Sequence, residues 1–224
     1  MSRGVLAKAI PALLGLISAG VIIKTVTGDS AGNGFPDPVV NIGKQTERGK
    51  AFFAGGCFWC LEAVFEQLSG VEAVACGYAG GKPQDARYEL VHTGQTDHAE
   101  AIEVTYDPSK ISYGQLLKVF FSVAHDPTQL NRQGPDFGRQ FRSAIFYVDA
   151  HQKRAAEAYI SQLEKAKVYP KPIVTDVVEL KGFYPAEDYN QDFVKKNPDH
   201  PYVLMHAMPK VKKLRKQFPS LLKH

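Results

Sequence analysis

Two cysteines three residues apart, Cys57 and Cys60, stand where an apolar run closed by glycines meets an amphipathic pattern, in the stretch AFFAGGCFWCLEAVFEQL. A thiolate is the reactive form of cysteine, and the unpaired N–H groups and the dipole of a helix N-terminus lower the pKa of a thiol placed there. Residues three apart on a helix share a face and lie within disulfide range. The spacing therefore favours a redox pair.

Two other uses of the cysteines stay open on spacing alone. A zinc site needs two more ligands, and Cys76 with His92 or His98 offers candidates without a second CxxC or HxxxH pair. Cysteine also packs as a small apolar residue. Three cysteines in 224 residues do not make a disulfide-stapled scaffold, so we interpret them as chemistry and expect no metal.

Phe58 and Trp59, between the two cysteines, favour a small apolar pocket over an open surface for disulfide exchange. Such a pocket fits a methyl group bonded to sulfur. Glu100 opens the alternating stretch AEAIEVTYD, and a carboxyl held against an apolar pocket has a raised pKa and keeps its proton. Glu100 is therefore the candidate acid for a leaving oxygen, although a Glu at a strand start is more often a solvated charge.

The composition is that of a soluble globular domain, with 44% hydrophobic and 22% charged residues. The formal charge is +4, and the excess lies mostly in the stretch 210–223, where no aromatic residues alternate with the basic ones. We predict a solvated amphipathic helix there, and no nucleic-acid partner. The protein is expected to be a monomer.

The chain is predicted to divide into four parts. Residues 1–24 are a signal peptide or membrane anchor, because basic residues precede an apolar run, and residues 25–49 are a flexible linker rich in Gly, Pro and Asp. A catalytic domain spans 50–200, and a basic C-terminal extension spans 201–224. The run from 5 to 23 just reaches the length of a membrane tether. The body is expected to be exported, either periplasmic or membrane-anchored and facing the cell exterior.

Strand and helix patterns alternate through the predicted domain. KAFFAGG is a buried strand, LEAVFEQL a helix that Gly70 ends, and AEAIEVTYD a half-buried strand. Ser112 and Gln115 form a capping-box signature for the next helix, and Asp149 caps a third. The order strand, helix, strands, helix, strand, helix, strand predicts a mixed sheet with helices packed on it, in the α/β or α+β class.

Five segments together resemble the A-type peptide methionine sulfoxide reductases, in the subgroup with GCFWC: GGCFWCLEAVFEQLSGV, GYAGG, HAEAIEVTYDP, HDPTQLNRQGPDFGRQFRSAIF and FYPAEDYNQDFVKKNP. They follow one another in the family's order, from Gly55 to Pro198. The resemblance implies a two-layer ferredoxin-like α+β core with long coil segments. It also implies reduction of the S epimer of methionine sulfoxide, free or in oxidised proteins and peptides.

The resemblance assigns roles to single residues. Cys57 resembles the nucleophile that attacks the sulfoxide sulfur, Phe58 and Trp59 would hold the substrate methyl group, and Glu100 would give a proton to the oxygen. Methionine and a sulfenic acid on Cys57 are the implied products, and a second thiol then condenses with the sulfenic acid.

We predict Cys60 as this resolving thiol, because the C-terminal tail has no cysteine. Cys76 is predicted to be a strand residue. No bound cofactor is expected, and a thioredoxin-like dithiol is the expected external electron donor. Export would require that dithiol to be relayed across the membrane.

Tyr88 and Asp136 align with pocket residues of the family, and Tyr88 would be a donor to the sulfoxide oxygen. Three positions depart from the family pattern: Phe141 replaces a tyrosine, Asp97 stands where the family usually reads GHAE, and Asn190 replaces a histidine. We hypothesise that Asp97, a like charge, raises the pKa of the catalytic carboxyl.

Two other functions are weighed against the reductase. A thioredoxin-like disulfide oxidoreductase has no oxygen to protonate and does not need Glu100. A silent sulfoxide-binding module would grip its ligand through Phe58 and Trp59 and would not need Cys57; the missing hydroxyl at Phe141 keeps this hypothesis open.

Overall fold

The computed structural model describes Met1, residues 34–40 and residues 47–223. Six strands form one sheet, with the spatial order β7-β6-β1-β3-β2-β8, and two short strands form a separate hairpin, β4-β5. The strands are β1 Gly49–Gly55, β2 Val71–Ala79, β3 Ala99–Tyr106, β4 Arg132–Gln133, β5 Asp136–Phe137, β6 Ser143–Tyr147, β7 Asp176–Glu179 and β8 Phe183–Pro185.

Two longer helices and several short ones accompany the sheet. The α-helices are α1 Phe58–Phe65, α2 Tyr88–Val91, α3 Tyr113–Val119, α4 Ala150–Lys165, α5 Phe193–Lys196 and α6 Met208–Gln217. Wider π turns, Phe120–Ala124 and Val203–Ala207, follow α3 and precede α6. Single 3₁₀ turns lie at Pro83–Asp85, Arg139–Phe141, Asp188–Asn190 and Pro219–Leu221.

The connectivity is that of the ferredoxin-like fold. Elements β1-α1-β2-β3-α3-β6 follow along the chain, and their strands lie in the order β6-β1-β3-β2, all antiparallel to their neighbours. The β7 strand extends this sheet in parallel with β6. The predicted mixed α+β sheet with packed helices is confirmed, and so is the predicted order of elements from β1 to β7.

The β1 strand lies at the centre of the sheet and is buried on both faces. Phe53 faces the helices, with its ring centroid 5.3 Å from Phe65 and 4.8 Å from Phe120. Phe52 points to the opposite face, 5.4 Å from the ring of Phe183. Packing on both sides makes β1 a rigid base that ends two residues before Cys57.

Local caps start the helices where the sequence predicts. The Ser112 hydroxyl accepts a hydrogen bond from the backbone N–H of Gln115, and the side-chain oxygen of Gln115 accepts one from the backbone N–H of Ser112, which completes the capping box of α3. Asp149 accepts from the backbone N–H groups of His151 and Gln152 at the start of α4. Both predicted caps are confirmed.

The N-terminal stretch 34–40 lies against α4. The hydroxyl of Tyr159 donates to the Pro36 carbonyl at 2.9 Å, and the amide of Gln162 donates to the Asp37 carbonyl at 2.8 Å. This stretch lies within the predicted linker 25–49, so part of that segment packs on the domain. The predicted leader and most of the predicted linker lie outside the described residues. Within the described residues, no helix has the length and apolar character needed to cross a membrane.

The C-terminal segment after residue 200 packs into the main core. Val203, Ala207, Val211 and Leu214 are buried in the same cluster as the sheet residues. The basic residues of α6 lie on its other face, as predicted for an amphipathic helix. The domain boundary at 200 stays a prediction.

Gly56 turns the chain between β1 and α1. Its φ is +93°, and a Cβ at this position would lie 2.6 Å from the Cβ of Gln133. Gln133 is itself fixed, because its amide donates to the Asp126 carbonyl at 3.1 Å and accepts from the Asp126 N–H at 3.2 Å. Only glycine satisfies both the backbone conformation and this close approach.

Replacing Gly56 by alanine is expected to destabilise the fold more than the same change at Gly134. Gly134 also has a positive φ, +57°, but has no atom within 4 Å of its Cβ position. Gly134→Ala should lose about 1 kcal/mol in urea unfolding from backbone strain alone, and Gly56→Ala about 1–3 kcal/mol more from the collision. Equal losses would contradict the role assigned to the contact with Gln133.

Candidate active site

One cavity of about 110 Å³ brings the predicted site residues together. All of them except Cys60 line it, and they share its walls with His92, Phe141 and Tyr202. The lining residues are Cys57, Phe58, Trp59, Tyr88, His92, Glu100, Asp136, Phe141 and Tyr202. Cys60 lies one helical turn beyond Cys57 and is buried.

Cys57 occupies the N-cap position of α1 and is 8% exposed. The backbone N–H of Cys60 donates to its carbonyl at 3.1 Å. Burial raises the pKa of the Cys57 thiol well above its ordinary value, and the neighbouring Cys60 and Glu100 raise it further. The expectation of a lowered pKa from the helix N-terminus is therefore not met in this closed pocket, because desolvation of the thiolate outweighs the helix dipole.

Glu100 lies on β3 and faces the start of α1. Its Oε2 accepts a hydrogen bond from the backbone N–H of Phe58 at 3.1 Å. Burial raises the pKa of this carboxyl to about 8, and Asp136 and Cys60 add to the rise. The raised pKa agrees in direction with the proton expected on Glu100, whose role as the acid stays a prediction.

Asp97 does not contribute to this shift. Its carboxylate points to the surface, more than half exposed, and pairs with the Arg139 guanidinium at 2.9 Å. The hypothesis that Asp97 raises the pKa of Glu100 is wrong, because a neutralised surface charge has little reach into the pocket. The residue instead ties the start of β3 to the turn before Phe141.

Trp59 is held from three sides. Its indole N–H donates to Asn190 Oδ1 at 3.1 Å, its ring stacks on Phe193 with centroids 3.7 Å apart, and Tyr202 meets it edge-on at 6.0 Å. The Asn190 amide in turn donates to Glu187 Oε2 at 3.1 Å. Asn190 is therefore a positioning residue, which gives its departure from the family histidine a physical account.

Glu187 connects this network to the second wall of the pocket. It accepts from the Tyr78 hydroxyl at 2.9 Å and from the backbone N–H of Tyr88 at 2.8 Å. The Tyr88 ring stacks on His92 at 5.1 Å. Trp59 and Tyr88, on different elements, are thus oriented by one carboxylate.

The loop HDPTQLNRQGPDFGRQF is tied down by its own side chains. Asp126 accepts from the Thr128 N–H and hydroxyl, and from the Gln129 amide at 2.9 Å. Gln129 also accepts from the Gly134 N–H at 2.8 Å, next to the hairpin that carries Asp136. These bonds fix the loop, and the fixed loop places Asp136 in the pocket.

Sequence reasoning missed His92 and Tyr202 as pocket residues. His92 had a signal, since it stands four residues after Tyr88 in YELVH, the spacing of one helical face. Tyr202 had none, because it lies beyond the last recognised motif and in the segment assigned to the extension.

Cys76 lies on β2, opposite Ile102 of β3, and is fully buried. Its predicted place in a strand is confirmed. In the described part of the chain, three potential metal ligands converge at Glu62, Glu66 and Asp192, a group that contains no cysteine.

A ferredoxin-like α+β fold, a buried cysteine pair at a helix start and a protonated carboxyl in an aromatic pocket together define a thiol oxidoreductase for a small apolar substrate that carries an oxygen. A sequence model described as "Peptide methionine sulfoxide reductase" matches residues 49–222. The chain belongs to the peptide methionine sulfoxide reductase family.

Several curated relatives are similar over most of their length. MsrA 2 of Synechocystis is 57% identical over 192 residues, which cover 84% of this chain and 90% of the relative. MsrA 2 of Mesorhizobium japonicum is 57% identical, over 76% and 88% respectively. Solved structures are similar as well: the crystal structure of reduced Mxr1 of Saccharomyces cerevisiae matches this chain with a TM-score of 0.63 at 30% identity, over 68% of this chain and 87% of Mxr1. MsrA of Corynebacterium diphtheriae has a TM-score of 0.57 at 33% identity, over 69% and 77%.

The stability of the protein should fall as the pH rises from about 5 to 8. Burial raises the pKa of Glu100 to about 8 and that of Glu62 to about 7, from an ordinary value of 4.5. Between pH 4.5 and the raised pKa of each group, the folded state holds a proton that the unfolded chain has released. The stabilisation that each group contributes is therefore fully present below about pH 4.5 and is lost as the pH rises through the raised pKa. Each group contributes a slope of up to about 1.4 kcal/mol per pH unit.

Urea unfolding across this pH range measures the effect. Glu100→Gln and Glu62→Gln should each remove one part of the slope, because an amide does not titrate. A slope that neither variant changes would show that these buried carboxyls are not its source.

Proposed function

We propose that the protein reduces the S epimer of methionine sulfoxide, free or within proteins, to methionine, and so repairs oxidised proteins. The observation that carries this proposal is the shared cavity, which is lined by a cysteine at a helix start, two aromatic rings and a buried carboxyl whose pKa is raised to about 8. Methionine sulfoxide has the matching parts: a methyl group for Phe58 and Trp59, an electrophilic sulfur for Cys57, and an oxygen for Glu100.

The chemical step uses groups that the cavity contains. The Cys57 sulfur attacks the sulfoxide sulfur while Glu100 gives its proton to the oxygen, and Tyr88 donates a hydrogen bond to the same oxygen. Attack forms a bond between the two sulfurs and leaves the oxygen on the substrate sulfur as a hydroxyl. That hydroxyl then passes to the Cys57 sulfur as the substrate S–O bond and the bond between the sulfurs break, so that methionine leaves and Cys57 carries a sulfenic acid. The proton of the Cys57 thiol replaces the one that Glu100 gave. The substrate sulfur is reduced by two electrons and the Cys57 sulfur is oxidised by two.

Resolution requires a second thiol. Cys60, one turn along α1, attacks the sulfenic acid; a Cys57-Cys60 disulfide forms and water leaves. A thioredoxin-like dithiol then reduces the disulfide by exchange and restores both thiols. We also propose that the protein works as a monomer.

We also propose that the protein is exported, as a periplasmic or membrane-anchored form with a tether through residues 5–23, and that its dithiol donor is relayed across the membrane. The basic and apolar pattern of this leader supports the proposal.

Protease added to intact spheroplasts should digest the catalytic domain while a cytosolic marker survives. Protection of the domain, together with reduction by cytosolic thioredoxin alone, would overturn both parts of this proposal.

Single turnover of the reduced protein with separated epimers of a methionine sulfoxide peptide tests the reaction. Without added reductant, about one methionine per protein should form from the S epimer and none from the R epimer, with Cys57 and Cys60 joined in mass spectra. Cys57→Ser should form none. Methionine from neither epimer with wild-type protein would reject the reductase.

Cysteine variants separate the two thiols. Cys60→Ser should still form one methionine, leave a trappable sulfenic acid on Cys57, and lose multiple turnover with a dithiol protein. Cys76→Ser is the matched control and should keep both activities. Normal multiple turnover of Cys60→Ser would show that another thiol resolves the sulfenic acid.

Glu100→Gln should slow single turnover about 10²- to 10⁴-fold, since the amide cannot protonate the leaving oxygen. Glu62→Gln is the control, because Glu62 is equally buried but bonds to the Asp192 N–H at 3.1 Å, outside the cavity. An unchanged rate in Glu100→Gln would show that a group other than Glu100 protonates the leaving oxygen.

A further inference from the structure

The helix α6 presents a strongly basic face to the outside of the molecule. No acidic residue follows Asp199 in the chain, so no carboxylate of this segment balances the charge. In the described part of the chain, none of the α6 lysines forms an ion pair, whereas Lys118 and Lys195 elsewhere both pair with carboxylates. The exposed cations of the helix are Lys212, Lys213, Arg215 and Lys216, and Lys210 is half-buried.

These charges do not serve the stability of α6 itself. The helix dipole favours cations in the last turn, where Lys216 lies, and disfavours them near the start, where Lys210 lies. Lysines four residues apart, such as Lys212 and Lys216, repel each other. Burial and the like charge of Lys210 lower the pKa of Lys213, against the attraction of Asp126. The unpaired charge is therefore available to an anionic partner outside the chain.

The helix is fixed to the body, so its basic face stays directed outward. Leu214 is buried in the main core. The Arg215 guanidinium donates to Gln67 Oε1 at 2.9 Å, and Leu222 forms an antiparallel bridge with Leu68 just after α1. The lysines consequently form a rigid charged surface and not a flexible tail.

Two exposed apolar side chains lie next to this surface. Leu204 is 53% exposed and Met205 is 68% exposed, both in the π turn that leads into α6. Exposed apolar side chains beside lysines are typical of a surface that lies in the headgroup region of a bilayer. A surface for single-stranded nucleic acid would offer aromatic rings for stacking, and none of the exposed residues between 204 and 216 is aromatic.

The N-terminal stretch 34–40 meets the body beside the far end of α6. The Lys118 ammonium on α3 donates to Asp37 Oδ1 at 2.7 Å and lies 5.8 Å from the centroid of the Phe218 ring. Phe218 directly follows α6. The chain between the proposed tether 5–23 and this stretch can be at most about 35 Å long. A bilayer that held the tether would therefore be within reach of the basic helix.

We propose that α6 and the π turn before it bind the anionic headgroups of a phospholipid bilayer. Lys212, Lys213 and Lys216 meet the lipid phosphates, and Leu204 and Met205 enter the boundary between headgroups and acyl chains. The binding goes beyond the proposed reductase chemistry, and the argument from position rests on the proposed tether. Because the π turn directly follows a residue that lines the cavity, the cavity then works beside the bilayer surface.

Fluorescence quenching by lipid tests this contact in the full chain with Met205→Trp. The vesicles are phosphatidylcholine with brominated acyl chains, with or without phosphatidylglycerol, and bromine quenches an indole that reaches the acyl boundary. The introduced indole should be quenched only on vesicles that contain phosphatidylglycerol, and added salt should reverse the quenching. The emission of the unsubstituted protein, which comes from Trp59, is subtracted.

Charge variants identify the source of the quenching. Neutralising the three lysines together, with Lys212→Gln, Lys213→Gln and Lys216→Gln, should lower the bound population of α6 about 100-fold, because each lysine near an anionic surface favours it about five-fold. The matched control removes the same charge from exposed lysines in three separate connecting segments and should keep the quenching. These changes are Lys82→Gln, Lys171→Gln and Lys181→Gln.

Three results would overturn the proposal: equal quenching with and without phosphatidylglycerol, quenching that the α6 charge variant keeps, and no quenching on either vesicle. The last would leave this face to solvent or to an acidic protein. If Met205→Trp does not fold, Leu204→Trp reports on the same turn. The failure of the proposed tether is distinct, because the chain would then not sediment with phosphatidylcholine vesicles, while quenching with phosphatidylglycerol would still be measurable.

Discussion

The hydrogen bond from the Phe58 backbone to the Glu100 carboxyl is the contact on which the site depends. It joins the first residue of α1 to the second residue of β3 and so ties the helix to the sheet. The nucleophile is one residue before the donor and the acid is the acceptor, so this bond holds the Glu100 carboxyl next to the backbone that carries Cys57. Gly56 fixes the other end of the same turn through its contact with Gln133.

Burial raises the pKa of both Glu100 and Cys57, and this helps the chemistry at one group and hinders it at the other. It keeps Glu100 protonated, which the chemistry needs, and it opposes ionisation of Cys57, which the chemistry also needs. The helix start that carries Cys57 offsets part of this cost. The cavity therefore cannot be explained as a sum of favourable interactions; its composition is a compromise between a neutral acid and an anionic nucleophile that share one desolvated space.

Local signals predicted much of this structure. The capping residues Ser112 and Asp149, the α1 pattern and the glycine turn act over a few residues, and each was placed correctly. The motifs also identified the pocket residues, apart from His92 and Tyr202. What failed depended on long-range packing: the pKa of Cys57 on burial, the pairing of Asp97 with Arg139, and the docking of residues 34–40 on α4. No short window of sequence contains both partners of such contacts.

The two aromatic residues that wall the cavity, Phe58 and Trp59, are also the two residues between the cysteines. A bond between the two sulfurs closes a small covalent ring, and the backbones of Phe58 and Trp59 are part of that ring. The shape of the cavity consequently changes with the oxidation state of the cysteine pair. Ligand affinity for this cavity is then a property of a redox state, and methionine that has just been released meets a differently shaped cavity until an electron donor has acted.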